Sequence, residues 1–141
     1  ESLVRNPAHP MTHLSLGAAR LEQNLLEQAL EHLDFVIALP RNADEDLRYA
    51  CSAMIRRARV LLLMGRRAEA VDTISEAAEI AGDSPTDLFD IGLFYLDDMG
   101  SANEALPFLR KAAALDPYDS FKQATLAHAQ LEAGEGVDSP R

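Results

Sequence analysis

One apolar stripe occurs three times in this chain, and that recurrence limits the fold more than any other feature of it. Ala70, Ile74 and Ala77 fall at i, i+4 and i+7, which places them on one side of a helix. The same stripe returns as Ala105, Leu109 and Ala112 and, upstream, as Ala29, Leu33 and Val36. A stripe that comes back at intervals of this size belongs to a repeated unit rather than to one amphipathic helix.

Composition narrows the class. With 141 residues, 48% of them hydrophobic, the chain has material for one compact domain or a short array and too much apolar surface for disorder. The absence of Trp and the few aromatic residues suit helices packed through Ala and Leu better than a sheet. A formal charge of −10 repels phosphate backbones and anionic lipid, so neither nucleic acid nor membrane is expected as a partner. Arg56, Arg57, Arg59, Arg66 and Arg67 form a local basic cluster, read here as solvated helix surface with recognition as its other use. Cys51 is the single cysteine, which fits a buried thiol in a reducing, cytoplasmic setting. The longest apolar run, Val60 to Met64, is far too short to insert in a bilayer. The chain begins at Glu1 rather than Met, which fits a piece of something longer.

In chain order, residues 1–10 read as an extended lead-in with Pro10 opening the first helix, about 11–24. A second helix spans about 26–39 and stops before Pro40. Asp44, Glu45 and Asp46 supply negative charge to the start of a third, the longest, which runs unbroken until Gly65. The fourth, about 67–81, closes at Gly82. Ser84 with Asp87 and Ser101 with Glu104 have the spacing of capping boxes at the starts of the fifth and sixth helices. Pro107 implies a kink or a late start in the sixth. Pro117 precedes a seventh, about 119–133, and residues 135–141 read as a flexible tail. Seven helices with short connections and no strand signal make an all-α chain of antiparallel helix pairs.

These units resemble the tetratricopeptide repeat, a helix–turn–helix of about 34 residues. Leu88, Ile91, Gly92 and Tyr95, then Ala105, Leu109, Ala112 and Pro117, occupy its typical places in the stretch 85–119, which carries one extra residue before Gly100. Met54, Ala58, Leu61, Gly65, Ala70, Ile74 and Ala77 do so in 51–84, where Arg57 replaces a usually apolar residue and the helix is prolonged back to Asp44. A third copy, 10–43, keeps Leu16, Gly17, Ala29, Leu33 and Val36 but has Asn24 for the turn glycine and His13 for a large apolar side chain. The segment 119–133 then looks like a capping helix whose Gln123 and Gln130 face outward. The resemblance covers residues 10–134 and implies one domain, a right-handed superhelical stack whose first helices line a concave face. Small residues at Gly17, Ala58, Gly92 and Ala127 are its most specific element.

That face is the family's usual peptide-binding surface. Carried over by position, it presents Leu14 and Ala18, then Ile55, Arg59 and Leu62, then Phe89, Leu93 and Leu96, and last Phe121 and His128. The Lys and Asn clamp with which one subfamily holds acidic chaperone tails is missing, so the resemblance implies an adaptor for an apolar peptide or amphipathic helix of a partner protein. Two alternatives remain open, a homodimer formed through the prolonged third helix and a regulatory piece of a larger enzyme or transcription regulator. No cofactor is expected. His9 and His13 flank Pro10 and lack a third metal ligand, and no phosphate loop or nucleophile–base pattern supports catalysis.

Overall fold

The computed structural model of the chain describes residues 9–134. These are all-α, with no strand among the described residues. Helix α1 covers Pro10–Glu22, α2 Leu26–Ala38, α3 Asp44–Leu63, α4 Arg67–Ala81, α5 Pro85–Leu93, α6 Ala102–Leu115 and α7 Ser120–Glu132; a π-turn, Phe94–Asp98, continues α5. The lead-in and tail expected at the two ends lie outside the described residues, apart from His9 and Pro10. The chain divides into two compact units, Glu1–Ile80 and Ala81–Arg141.

In the first unit α1 packs on α2 and α2 on α3. His9 caps α1 by accepting the Met11 N–H on its Nδ1 at 3.0 Å, which leaves Pro10 at the first helical position. The α1–α2 turn closes with Asn24 at φ 63°, the left-handed conformation that the matching turn glycine, Gly65, adopts at φ 80°. The Leu25 N–H then reaches the Arg20 carbonyl, just as the Arg66 N–H reaches that of Leu61. The two extra turns of α3 are not a free projection. Asp46 accepts the Asn42 and Ala43 N–H groups at 2.8 and 3.0 Å, Arg48 donates to the Ile80 carbonyl, and the Tyr49 ring meets His9 edge-on.

Arg57 departs from the repeat pattern because it joins three helices. From α3 its guanidinium donates to Asp34 on α2 and to the Thr73 hydroxyl on α4, each at 2.7 Å, and Thr73 in turn donates to the Glu69 carbonyl. Cys51 is fully buried, its thiol 3.4 Å from the Ala77 carbonyl.

In the second unit α5 packs on α6 and α6 on α7. Ser84 accepts the Asp87 N–H at 3.3 Å, as its spacing predicts. Ser101 makes no side-chain cap, so the second expected capping box does not form. Helix α6 starts at Ala102, ahead of Pro107, so its start is not late. Pro107 and Asn103 are both exposed, so the carbonyl that would otherwise accept the amide four residues on lies in an exposed part of the helix. The extra residue before Gly100 becomes the π-turn, in which the Met99 N–H bonds the Phe94 carbonyl five residues back at 3.0 Å. Asp119 caps α7, accepting the Phe121 and Lys122 N–H groups. Gln123 reaches back to the Ala113 carbonyl at 3.0 Å, and Ala127 stays exposed, with no later helix described beside it.

The recurring stripe is the core of both units. Ala29, Leu33, Val36, Ala70, Ile74, Ala77, Ala105, Leu109 and Ala112 are each no more than 2% exposed. Opposite them stand the small residues. A Cβ on Gly17 would lie 3.0 Å from Leu33 Cδ2, and one on Gly92 would lie 2.5 Å from Leu109 Cδ2 and 2.7 Å from its Cγ. Alanine at either site gains about the same helix propensity, ~1 kcal/mol, so their difference isolates the packing. Gly92→Ala is expected to be less stable than Gly17→Ala by about 1 kcal/mol or more in urea unfolding. Equal effects would show that Leu109 moves aside at no cost.

His13, where an apolar residue is usual, stacks on Phe35 with ring centroids 4.0 Å apart and sets its Nδ1 3.0 Å from that of His32. One of the two nitrogens donates and the other accepts. Burial above all, then the charges of His13 and Arg20, holds His32 below its ordinary value of 6.5, with Glu31 acting in the opposite sense. The unfolded chain therefore takes this proton more readily than the folded one. Stability is complete above the unfolded value and falls as pH drops through it toward the lower folded value. Between about pH 7.5 and about pH 5.5 the wild type should lose more thermal stability than His32→Gln. Parallel losses would remove the histidine pair from the pH response.

Candidate functional site

The structure sorts the expected contact residues by depth. In the first unit Ile55 is 2% exposed and closed off, while Arg59 and Leu62 are half-buried. In the second, Phe89 and Leu96 are buried at 8% and 9%, Leu93 is half-buried, and Phe121 and His128 are exposed. Two of the deep residues are wall rather than contact. Phe89 meets Phe121 edge-on with centroids 5.5 Å apart, and Leu96 lies in the π-turn.

Each unit has an open depression on these faces. In the first, a cavity of about 240 Å3 is lined by Met11, Leu14, Ser15 and Ala18 of α1 with Ser52 and Arg56 of α3. Arg56 is folded back on its own helix, donating to the Ser52 hydroxyl at 2.8 Å. In the second, a cavity of about 270 Å3 is lined by Leu93, Leu96, Asp97, Phe121, Ala124, Thr125 and His128. It brings together four of the residues expected from register, Leu93, Leu96, Phe121 and His128. Sequence reasoning missed Asp97 and Thr125, and the signal for Asp97 was the extra residue, which shifts the chain beside it by one position.

The chemistry of the second depression is simple. Phe121 is 66% exposed, a large apolar side chain left mostly in water. His128 Nε2 stands 3.5 Å from the Glu132 carboxylate. Asp97 is exposed and has no hydrogen-bond or ion-pair partner among the described residues. The neighbouring lysine is committed elsewhere. Lys122 bridges Asp119 at 2.8 Å and Asp116 at 3.3 Å, its ammonium holding the Asp119 carboxyl below the usual carboxylate range.

The arginine cluster is likewise largely committed to internal contacts. Besides Arg56 and Arg57, Arg66 forms a two-pronged pair with Glu69, with Nη2 2.9 Å from Oε2. No group of three His, Cys, Asp or Glu side chains among the described residues is placed to hold a metal, and none of the described helices is long and apolar enough to cross a membrane.

Helix pairs closed by left-handed turns, with small residues where partners meet, define a tetratricopeptide-like fold. A solved structure has a similar fold. The chain is similar to a thermophilic TPR protein of Thermus thermophilus, with 23% identity and a TM-score of 0.50 over 92% of this chain and 85% of that one. At that identity the likeness concerns the fold alone. No family model matches the sequence, and no curated protein does.

Proposed function

We propose that the chain is a non-catalytic, cytoplasmic adaptor that binds a peptide or helix of another protein on the first-helix faces of its repeats. Residues 10–43, 51–84 and 85–119 act as three repeats of one domain, with α7 as the cap. Contacts come from Arg59, Leu62, Leu93, Phe121 and His128, while Ile55, Phe89 and Leu96 shape the surface beneath them. The observation that carries this reading is the open depression of the second unit, where an exposed Phe121 borders Leu93 at places the repeat register assigns to the binding face. A ligand side chain that covers Phe121 removes apolar area from water at ~25 cal/mol per Å2.

The test compares baits. Wild type and a Leu93→Asp, Phe121→Asp variant are used to capture proteins from the cell the chain comes from, with circular dichroism confirming equal helix content. Proteins held by the wild type should be at least about tenfold depleted on the variant, since full burial of one such side chain is worth about 1.5–3 kcal/mol. Identical capture by both baits would remove the groove from the function. Light scattering on the same samples addresses the homodimer. A dimer lost in the variant would assign this face to a second copy instead.

A further inference from the structure

We infer that the depression formed by α5, its π-turn and α7 receives a basic amphipathic helix of a partner protein, with an apolar side chain seated among Leu93, Leu96 and Phe121 and a Lys or Arg one turn away paired with Asp97. The inference rests on the groove reading above and adds the chemistry of the partner.

Size comes first. About 270 Å3 falls short of the ~300–1,000 Å3 typical of small-molecule sites and opens to solvent, which suits an anchoring side chain on a larger ligand. Backbone chemistry comes second. The walls are helices whose N–H and C=O groups are bonded within themselves, so no strand edge is offered, and an extended peptide would lay unpaired amides over Leu93 and Phe121. A helix brings its backbone already satisfied.

Charge decides the rest. Within Ala81–Arg141 acidic residues far outnumber basic ones. Lys111 pairs with Asp83 at 3.0 Å, and Lys122, whose ammonium lies 5.3 Å from the centre of the Phe89 ring, pairs with Asp116 and Asp119; neither lysine lines the depression. What does line it is Asp97, without a partner among the described residues and one residue past the apolar wall residue Leu96, both held in the π-turn. An apolar seat with an unanswered carboxylate at its edge is complementary to a ligand that presents a cation three or four residues from its anchor, and hostile to an acidic one.

The experiment uses two fluorescein-labelled helical peptides with the same Leu face, one with Lys and the other with Glu on the polar face, titrated with the full chain at physiological salt and read by anisotropy. The Lys peptide should bind at least about tenfold tighter than the Glu peptide. Asp97→Lys should weaken the Lys peptide by about tenfold, whereas Asp72→Lys, the same charge change on the exposed face of α4, should weaken it far less. Phe121→Ala should weaken it too, with the melting curve showing that the variant folds. Equal loss in Asp97→Lys and Asp72→Lys would overturn the inference in favour of a general field of the acidic chain. Equal binding of both peptides, abolished by Phe121→Ala, would overturn the charge pairing and leave the groove reading intact. Binding of the Lys peptide unchanged by Phe121→Ala would overturn both.

Discussion

The closest approach of two helices governs this structure. Where Gly92 meets Leu109 there is no room for even a methyl group, and Gly17 against Leu33 is only slightly more generous. A leucine that can lie directly on the neighbouring backbone buries its whole side chain, and it does so in both units, with Leu33 and Leu109 each at 1% exposure. Small residue and large residue therefore specify each other across the pair. Neither alone would fix the register of the hairpin.

That coupling explains why so much of the fold was legible. A pattern of Ala, Leu and Gly with a fixed period names both the helices and the faces that meet, and the ends are marked by residues with one conformational job. Asn24 was readable as a substitute for a turn glycine because it sits where Gly65 sits one repeat later, and both adopt positive φ. Ends that depend on side-chain geometry were less readable. Ser84 and Ser101 have the same spacing to an acidic residue, yet only Ser84 caps. The difference lies in the approach of the preceding chain, since Ser101 follows the π-turn and its own N–H bonds the Tyr95 carbonyl at 2.8 Å.

Polar exceptions to the pattern were visible as exceptions, but their answers were not. His13 and Arg57 both stand where an apolar residue is usual, and each is resolved by a partner far away in sequence. His13 found His32 and Phe35 on the next helix, and Arg57 found Asp34 and Thr73 on two others. Half-buried donors are costly unless satisfied, so the substitutions survive only because these partners are present. Periodicity counts residues along one helix and carries no information about which polar atoms converge from several.

Depth at the candidate site is a second quantity that register cannot supply. Phe89 and Phe121 both fall on the face that register assigns to first helices, yet one is buried and the other is mostly in water. The reason is position along the chain. Phe89 meets both Phe121 and Lys122 of α7, whereas Phe121 lies on the last described helix and has no later ring to cover it. The polar side of α7 answers the same lack of a neighbour, because Gln123 turns back to the Ala113 carbonyl instead of packing outward. A terminal helix can therefore be closed on one side and still leave an aromatic ring open on another. The π-turn sharpens that asymmetry, since one inserted residue puts Leu96 into the wall and Asp97 at its rim. The same depression therefore holds a carboxylate with no partner among the described residues and a largely exposed phenyl ring, and the proposed preference for a basic helix rests on that pairing.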